Sequence, residues 1–408
     1  MDHEFVRGVE QALGWEGPSA LGKGFARGSI TDLTLLERLL TPGRLLDLVM
    51  RRSLTTPQLR IFQDGAELHP GRYINPAVTR RGQAIPVADM RRVGELLRSG
   101  CTMVLDELDF FDPVMEVTCR ALQWWAHELV QVNAYLTTQD ASGFKLHWDD
   151  HDVIIVQLAG DKSWEVRGAS REAPMYRDSA PNTAPSDEIV WSGTMAAGDV
   201  MHIPRGFWHQ ATRDDRGTDG YSLHVTFGIV KRAGVNWAAW LADQCRTDDA
   251  FRRDLDRWSS PEQWQAQQDA LTGAVARLAA AAPPADFLTA RERERAAARH
   301  IPHVGLFGKP EVVVCVSEFA PLIEDNGDTV DIISAGKRIT LTAKALPALH
   351  LLLSGHPVDI ARAAAETGVD VDRLADILIT EELCTELTAD LSSACTGMVP
   401  TANSWKTR

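Results

Sequence analysis

Two short runs hold the residues with chemistry to offer. In Phe144-Lys145-Leu146-His147-Trp148-Asp149-Asp150-His151, an imidazole and a carboxylate stand two residues apart. On an extended strand alternate side chains face the same side, so His147 and Asp149 point together. The second run, Gly198-Asp199-Val200-Met201-His202-Ile203-Pro204-Arg205-Gly206-Phe207-Trp208-His209, reads as strand, tight turn, strand, with His209 emerging from the turn. Pro204 fixes φ there and Gly206 suits the turn. Two histidines and one carboxylate on one face of a metal, with the other face open, form the ligand set of a non-haem Fe(II) centre. A lone His-x-Asp is a weak signal, more often just two polar residues at a strand end. The apolar strand Val153 to Val156 directly after it, and the distant run ending in His209, move the reading toward a metal site.

The elements that must position these residues are short strands. Leu59–Gln63, Thr102–Asp106, Val130–Thr137, His151–Leu158, Ser163–Arg167, Ile189–Trp191, Asp199–Ile203, Gln210–Arg213 and Tyr221–Ile229 are apolar or alternating and bounded by turn residues. Gly160-Asp161 suits a two-residue hairpin loop that returns Ser163–Arg167 as the partner of the strand before it. Many short strands with Gly/Pro turns imply a sandwich or barrel, and a metal site inside favours a jelly roll. Helices are expected at Val87–Ser99 and Pro113–Leu129; the latter places Trp124 and Trp125 in a core. From Asn236 the spacing of Trp237, Trp240, Leu241 and Cys245 is helical, followed by Asp254–Trp258, Pro261–Leu278 and Leu288–Ala298.

Several quoted runs together resemble a known group. They are Val132 to Thr137, Gly143-Phe144, His147 to Asp150, Val156 to Val166, Ile203 to Ala211 and Ser222 to Thr226. The region from roughly residue 95 to 230 is similar to the JmjC/cupin-like oxygenases. It resembles most the bacterial and nucleolar ribosomal oxygenases that hydroxylate ribosomal proteins. The resemblance implies a mainly β catalytic domain of the double-stranded β-helix (jelly roll, JmjC) type at 1–232, with an N-terminal helical and strand extension. An α-helical dimerisation region at 233–305 would follow, then a winged-helix-like α+β domain at 306–392 and a flexible tail at 393–408. It also implies Fe(II) on His147, Asp149 and His209, with 2-oxoglutarate and O2 as cosubstrates. Lys162 matches the basic residue for the far carboxylate of 2-oxoglutarate, and Asn133 and Tyr135, which share a strand face, match residues near it. Thr226 is a weaker candidate. Where some relatives carry a hydroxyl residue this chain has Gly228.

Other histidines compete. His151 continues the two-residue period of His147 and Asp149 and so faces the same cavity; a pocket or substrate contact fits it, as it does Trp148, together with the loop 168–187. His202 lies on the strand before Pro204. His224 lies in an apolar strand and reads either as a pocket residue or as a core histidine.

The implied reaction is oxidative decarboxylation of 2-oxoglutarate to succinate and CO2, coupled to hydroxylation of a protein side chain, a ribosomal protein first. Alternatives are a tailoring hydroxylase of a small peptide, lysine demethylation, and a non-catalytic cupin-like binding protein. The 408 residues hold two or three domains, and 44% hydrophobic with 24% charged residues is a globular composition. No apolar run approaches the ~20 residues of a membrane span. Six scattered cysteines without Cys-x-x-Cys and an acidic N-terminus without a signal-peptide core fit a reducing cytoplasm. A net charge of −14 disfavours nucleic acid and permits a basic polypeptide partner. Between Gly308 and Asp390, fifteen acidic against six basic residues give a net of −9, which disfavours DNA as partner of a winged helix.

Overall fold

The computed structural model describes residues 1–138, 144–177, 181–212, 220–294, 299–302 and 304–400. Expectations placed on Gly143, on 178–180 of the loop, on Arg213, on 295–298 and on the end of the tail at 401–408 lie outside the described residues.

Two facing sheets form a jelly-roll sandwich. Their strands are β1 (Ala26–Ser29), β2 (Leu59–Gln63), β3 (Ala66–Glu67), β4 (Thr102–Leu105), β5 (Leu129–Thr138), β6 (Asp152–Gly160), β7 (Lys162–Ala169), β8 (Ile189–Met195), β9 (Asp199–Ile203), β10 (Phe207–Thr212) and β11 (Tyr221–Val230). The large sheet runs β1-β9-β6-β11-β5-β4-β2-β3 and the small one β8-β7-β10. Strand β6 lies inside the large sheet with both faces covered. Val153 and Ile155 meet Trp164, Val166, Met195, Met201 and Ile203 between the sheets. Ile154, Val156 and Leu158 pack on the other side among Val132, Ala134, Leu136, Phe5 and Met115. A strand buried on both faces needs a continuous apolar run rather than alternation. Strand β5 alternates because one face, Val132-Ala134-Leu136, joins the helical core while Asn133, Tyr135 and Thr137 turn toward a cavity.

The expected hairpin at Gly160-Asp161 does not form. Strand β6 pairs with β9 and β11, and β7 pairs with β8 and β10, so these two residues carry the chain from one sheet to the other. Gly160 has φ +60°, and a Cβ there would lie 1.8 Å from the Tyr221 carbonyl oxygen, so the crossing admits only glycine. A Gly-Asp link looks the same in sequence whether its flanking strands pair or part.

The first helical expectation narrows to Met90–Arg98, since Ala84–Ala88 is a strand, and the second ends at Ala126, where His127 turns left-handed and Leu129 opens β5. After the sandwich come helices Gly234–Gln244, Pro261–Ala281 and Pro284–Glu292. Asp254–Trp258 is not helical. The short helix Asp249–Arg252 ends before it, and the next begins only after Ser260, whose Oγ accepts the Gln263 amide. The C-terminal unit combines a sheet of Val312–Cys315 between Val358–Asp359 and Cys384–Glu386 with a three-stranded meander, Leu322–Asp325, Thr329–Ser334 and Lys337–Thr342. Helices Leu346–Leu352, Ile360–Thr367 and Val371–Thr380 pack on it.

The expected flexible tail at 393–408 is instead ordered as far as the described residues run. Thr388 caps a helix, Ala389–Cys395, and Leu391, Ala394, Cys395, Met398 and Val399 are buried in the core shared with Pro113–Ala126. The Met398 carbonyl accepts the Glu4 amide at 2.8 Å. The Ser/Thr content concealed a helix cap and spaced apolar residues. Leu391→Ala is expected to cost about 2–5 kcal/mol, as for other buried leucines. Chemical denaturation checks this; an unchanged midpoint would show that the segment contributes no packing energy.

Candidate metal centre

His147 and His209 are joined through their backbones. Each amide donates to the other's carbonyl, at 3.1 and 2.7 Å, in an isolated bridge. His147 therefore sits at a bridge to β10 rather than in a regular strand, and His209 is the third residue of β10 rather than a turn residue. The Gly206 amide donates to the Asp149 carbonyl at 2.9 Å, tying the third residue to the same turn. The ligand-type atoms of His147, Asp149 and His209 all lie within 4.8 Å of one another.

The hydrogen bonds set the tautomers. His147 Nδ1 lies 2.7 Å from the Lys145 carbonyl and His209 Nδ1 lies 3.2 Å from that of Phe207. A carbonyl only accepts, so Nδ1 carries the proton and each Nε2 presents a lone pair. His209 Nε2 then faces Asp149 Oδ2 at 3.5 Å, and the imidazole rings are 4.3 Å apart. Acceptors converging in this way fit a divalent cation, and the N2O set with an open face suits Fe(II) or Mn(II). Burial pushes the Asp149 carboxyl up, but the neighbouring His209, then His151 and His147, outweigh it and hold the pKa well below the carboxylate range, so the group is ionised. Burial, then His209, pushes His147 down, which keeps it neutral and able to ligate.

These residues open on a cavity of about 350 Å³ between the sheets. Cross-strand pairing assembles its wall: Tyr135 opposes His224, Asn133 opposes Thr226, and Thr102 opposes Thr137. Tyr135 stacks on His224 with centroids 4.7 Å apart, and Trp164 meets His224 edge-on at 5.3 Å. Burial, then the Lys162 charge, pushes His224 down to about 3, so it is neutral. Asn133 Oδ1 accepts the Glu107 amide at 3.0 Å.

Lys162 is 6% exposed and lines this cavity. Its Nζ lies 3.4 Å from Thr137 Oγ1, itself 2.9 Å from Thr102 Oγ1. Among the described residues no carboxylate is bonded to it, and burial pushes its pKa down to about 8. A buried ammonium beside hydroxyls and without a counter-ion is built to receive an anion.

The structure thus brings together His147, Asp149, His209, Lys162, Asn133, Tyr135, Thr226, His151 and His224 around one cavity. Trp148 is not among the lining residues. As the odd residue between His147 and Asp149 it turns away, buried, with its indole N–H on the Asn182 carbonyl at 2.9 Å and its ring 4.9 Å from that of Tyr176. His202 also leaves the site, held between the Gly24 carbonyl and the Gly22 amide. The His151 ring occupies the space above Gly228, where a Cβ would come within 2.8 Å of it. Four contributors escaped the sequence reading. Thr137 shares the period of Asn133 and Tyr135 and was legible. Thr102, Arg60 and Tyr176 enter through register and loop packing; Tyr176 Oη reaches Asp149 Oδ1 at 3.2 Å.

Two outcomes follow from this geometry. His147→Ala and His209→Ala are each expected to lower bound Mn(II) from about one per chain to near zero, since two ligands do not make a facial triad; equilibrium dialysis reads this, and full occupancy in both variants would remove the centre. Lys162→Met is expected to stabilise the fold at pH 7 by on the order of 3 kcal/mol, from the drop between 10.5 and about 8. Below pH 8 both folded and unfolded states are protonated and the folded state carries the full burial penalty. Between 8 and 10.5 the unfolded chain holds more protons, so the parent gains stability as pH rises and the variant's advantage disappears. Denaturation at pH 7 and pH 10 tests both parts; a variant no more stable than the parent at pH 7 contradicts the burial penalty.

Residues 111–235 match the JmjC domain family. The chain is 32% identical over 209 residues to ribosomal oxygenase 1 of Rattus norvegicus, covering 47% of this chain and 33% of that one. It is 32% identical over 184 residues to the bifunctional lysine-specific demethylase and histidyl-hydroxylase NO66 of Caenorhabditis elegans, covering 42% and 24%. It therefore spans a quarter to a third of the length of these relatives. The fold is similar to that of Escherichia coli YcfD, with 14% identity, a TM-score of 0.54, and 94% of this chain and 100% of that one covered. Another YcfD structure, described as a ribosomal oxygenase in complex with cobalt and 2-oxoglutarate, gives 14% identity and a TM-score of 0.50 over 85% and 90%.

Proposed function

The chain carries a JmjC domain over residues 111–235, and from that premise we propose that it is an Fe(II)- and 2-oxoglutarate-dependent oxygenase that hydroxylates a protein side chain, with a ribosomal protein as first candidate. One observation carries the reading: a converging His-Asp-His set and a buried lysine without a counter-ion line the same cavity. In this reading His147, Asp149 and His209 hold the iron. Lys162, beside Thr137, takes the far carboxylate of 2-oxoglutarate, while Asn133, Tyr135 and Thr226 orient the cosubstrate. Bound iron and 2-oxoglutarate supply the oxidising chemistry, in which one atom of O2 ends in succinate, released with CO2, and the other in the substrate hydroxyl. Tyr176 steadies the Asp149 carboxylate through its hydroxyl. Trp164 and the His224–Tyr135 stack keep water from the inner wall. His151, over Gly228, is the residue of this wall assigned to the substrate.

The domain reading follows the same resemblance: catalysis by 1–232, dimerisation through 233–305, and a winged-helix-like unit at 306–392. Leu255, Trp258, Trp264 and Val275 stay exposed in the helical region, which supports a homodimer. The order helix, strand, helix, helix, strand from Leu346 to Glu386 supports the winged-helix reading, and the net charge of −9 over Gly308 to Asp390 supports a polypeptide rather than DNA as partner. No helix among the described residues is long and apolar enough to cross a membrane, and the six cysteines are free thiols, in keeping with a reducing cytoplasm.

The test is succinate formation together with mass spectrometry of ribosomal proteins and small peptides from cells with and without the gene. The expected result is a gain of one oxygen atom on a ribosomal protein only when the gene is present. Lys162→Met should raise the 2-oxoglutarate requirement 100-fold or more, as loss of one partner of a buried charge pair costs roughly 3–5 kcal/mol. Binding should also weaken as pH rises above about 8, where free Lys162 loses its proton. Oxygen gain on small peptides alone would favour the tailoring alternative, loss of methyl groups would favour demethylation, no turnover with bound metal would favour a binding protein, and a monomer in light scattering would remove the dimer.

A further inference from the structure

A second cavity, of about 460 Å³, lies where the ends of β5 and β11 meet the helix Pro284–Glu292 and the C-terminal unit. It is separate from the metal centre but shares a wall with it. Gln131, in this cavity, packs beside Gly228, which lines the first.

Two of its guanidiniums keep buried donors unpaired, although the lining also holds the carboxylates Glu107, Asp109, Glu294 and Glu318. Arg291 is 2% exposed. Its Nη1 donates to Glu128 at 2.5 Å, but its Nε and Nη2 are buried without a hydrogen-bond partner. Arg232 Nε is buried and unpartnered as well. Arg232 and Arg291 both line the cavity; burial, then the Arg291 charge, lowers the Arg232 pKa, while Glu294 and Glu128 raise it. The remaining acids do not meet this need. Asp109 binds Arg299 through one oxygen at 3.2 Å, its other oxygen having no donor, and Glu318 binds Gln123 at 2.6 Å. Among the described residues Glu294 and Glu107 make no ion pair with either arginine. Buried guanidinium donors left unmade are costly, and a planar oxyanion is the group that satisfies two of them at once. The rim is apolar: Phe110, Leu129 and Val230 are exposed beside it.

We propose that this cavity is a second binding site, for a ligand with a carboxylate head on an apolar body. Arg232 and Arg291 bind the carboxylate, and Phe110, Leu129 and Val230 hold the body. The site stands whether or not the first cavity performs the proposed oxidation. The volume is that of an ordinary small-molecule pocket.

Phenylacetate is a suitable probe, with phenylethanol as its neutral counterpart and inorganic phosphate as a charge without an apolar body. Titration calorimetry on the full chain is expected to give phenylacetate binding at least about tenfold tighter than either control, the scale of one charge-assisted contact. Arg232 is half-buried and makes no ion pair, so Arg232→Gln should keep the parent melting temperature and weaken phenylacetate about tenfold. Lys162→Met should leave this binding unchanged. Three results overturn the proposal: equal binding of phenylacetate and either control, unchanged binding in Arg232→Gln, or loss of binding in Lys162→Met, which would put the probe in the first cavity. A fourth result overturns it too: phenylacetate binding only when a dimer dissociates would make a second copy of the chain the occupant.

Discussion

The reciprocal backbone hydrogen bonds between His147 and His209 are the contact on which the site depends. They join a loop before β6 to the third residue of β10, which is held in register by β7. With the Gly206 amide on the Asp149 carbonyl, they position all three candidate ligands by main-chain geometry rather than by side-chain packing. The imidazoles need only one further bond each, from Nδ1 to a carbonyl, to aim Nε2 inward. Such constraint suits a centre whose ligands must hold their angles while one face stays open.

The space in front of those ligands is polar at a cost to the fold. Lys162 lies buried against hydroxyls, and among the described residues no carboxylate balances it. An apolar residue would pack there with less penalty. That a sandwich otherwise filled by Val, Ile, Met and Trp keeps this charge is the pattern expected where function rather than stability selects the residue. Arg232 and Arg291 of the second cavity likewise keep buried donors without a partner, on the far side of the wall formed by Gln131 and Gly228.

The outer face of the large sheet is closed by chain from both ends of the molecule. Phe5 and Val9, the helix Pro113–Ala126, and Leu391 to Val399 share one core with β5, β6 and β11. The C-terminal unit is joined to this core directly: the Trp124 indole donates to the Ser317 carbonyl at 3.0 Å, and Val314 belongs to the larger core. The last described segment is therefore part of the support beneath the strands that bear Asn133, Tyr135, His224 and Thr226.

Local pattern was enough for the strands, the helix Pro113–Ala126 and the cavity face of β5, because a period of two and an apolar run are properties of neighbours in sequence. It also placed His147 and Asp149 on one side, with Trp148 between them. It was not enough for anything that depends on which strands meet. The link at Gly160-Asp161 was compatible with a hairpin, and only the burial of β6 on both faces sent β7 to the other sheet. The same holds for Thr102, which reaches Lys162 through Thr137 across the β4–β5 register, for Arg60 and Tyr176, and for Trp148, which leaves the cavity for the loop. A tail of serines and threonines reads as solvent-exposed until a surface exists for its Leu, Cys and Met to cover. The sequence by itself determined which groups could perform chemistry and which faces they share. The tertiary structure decided which groups confront one another, because distance across the fold is set by strand pairing and burial, neither of which is local.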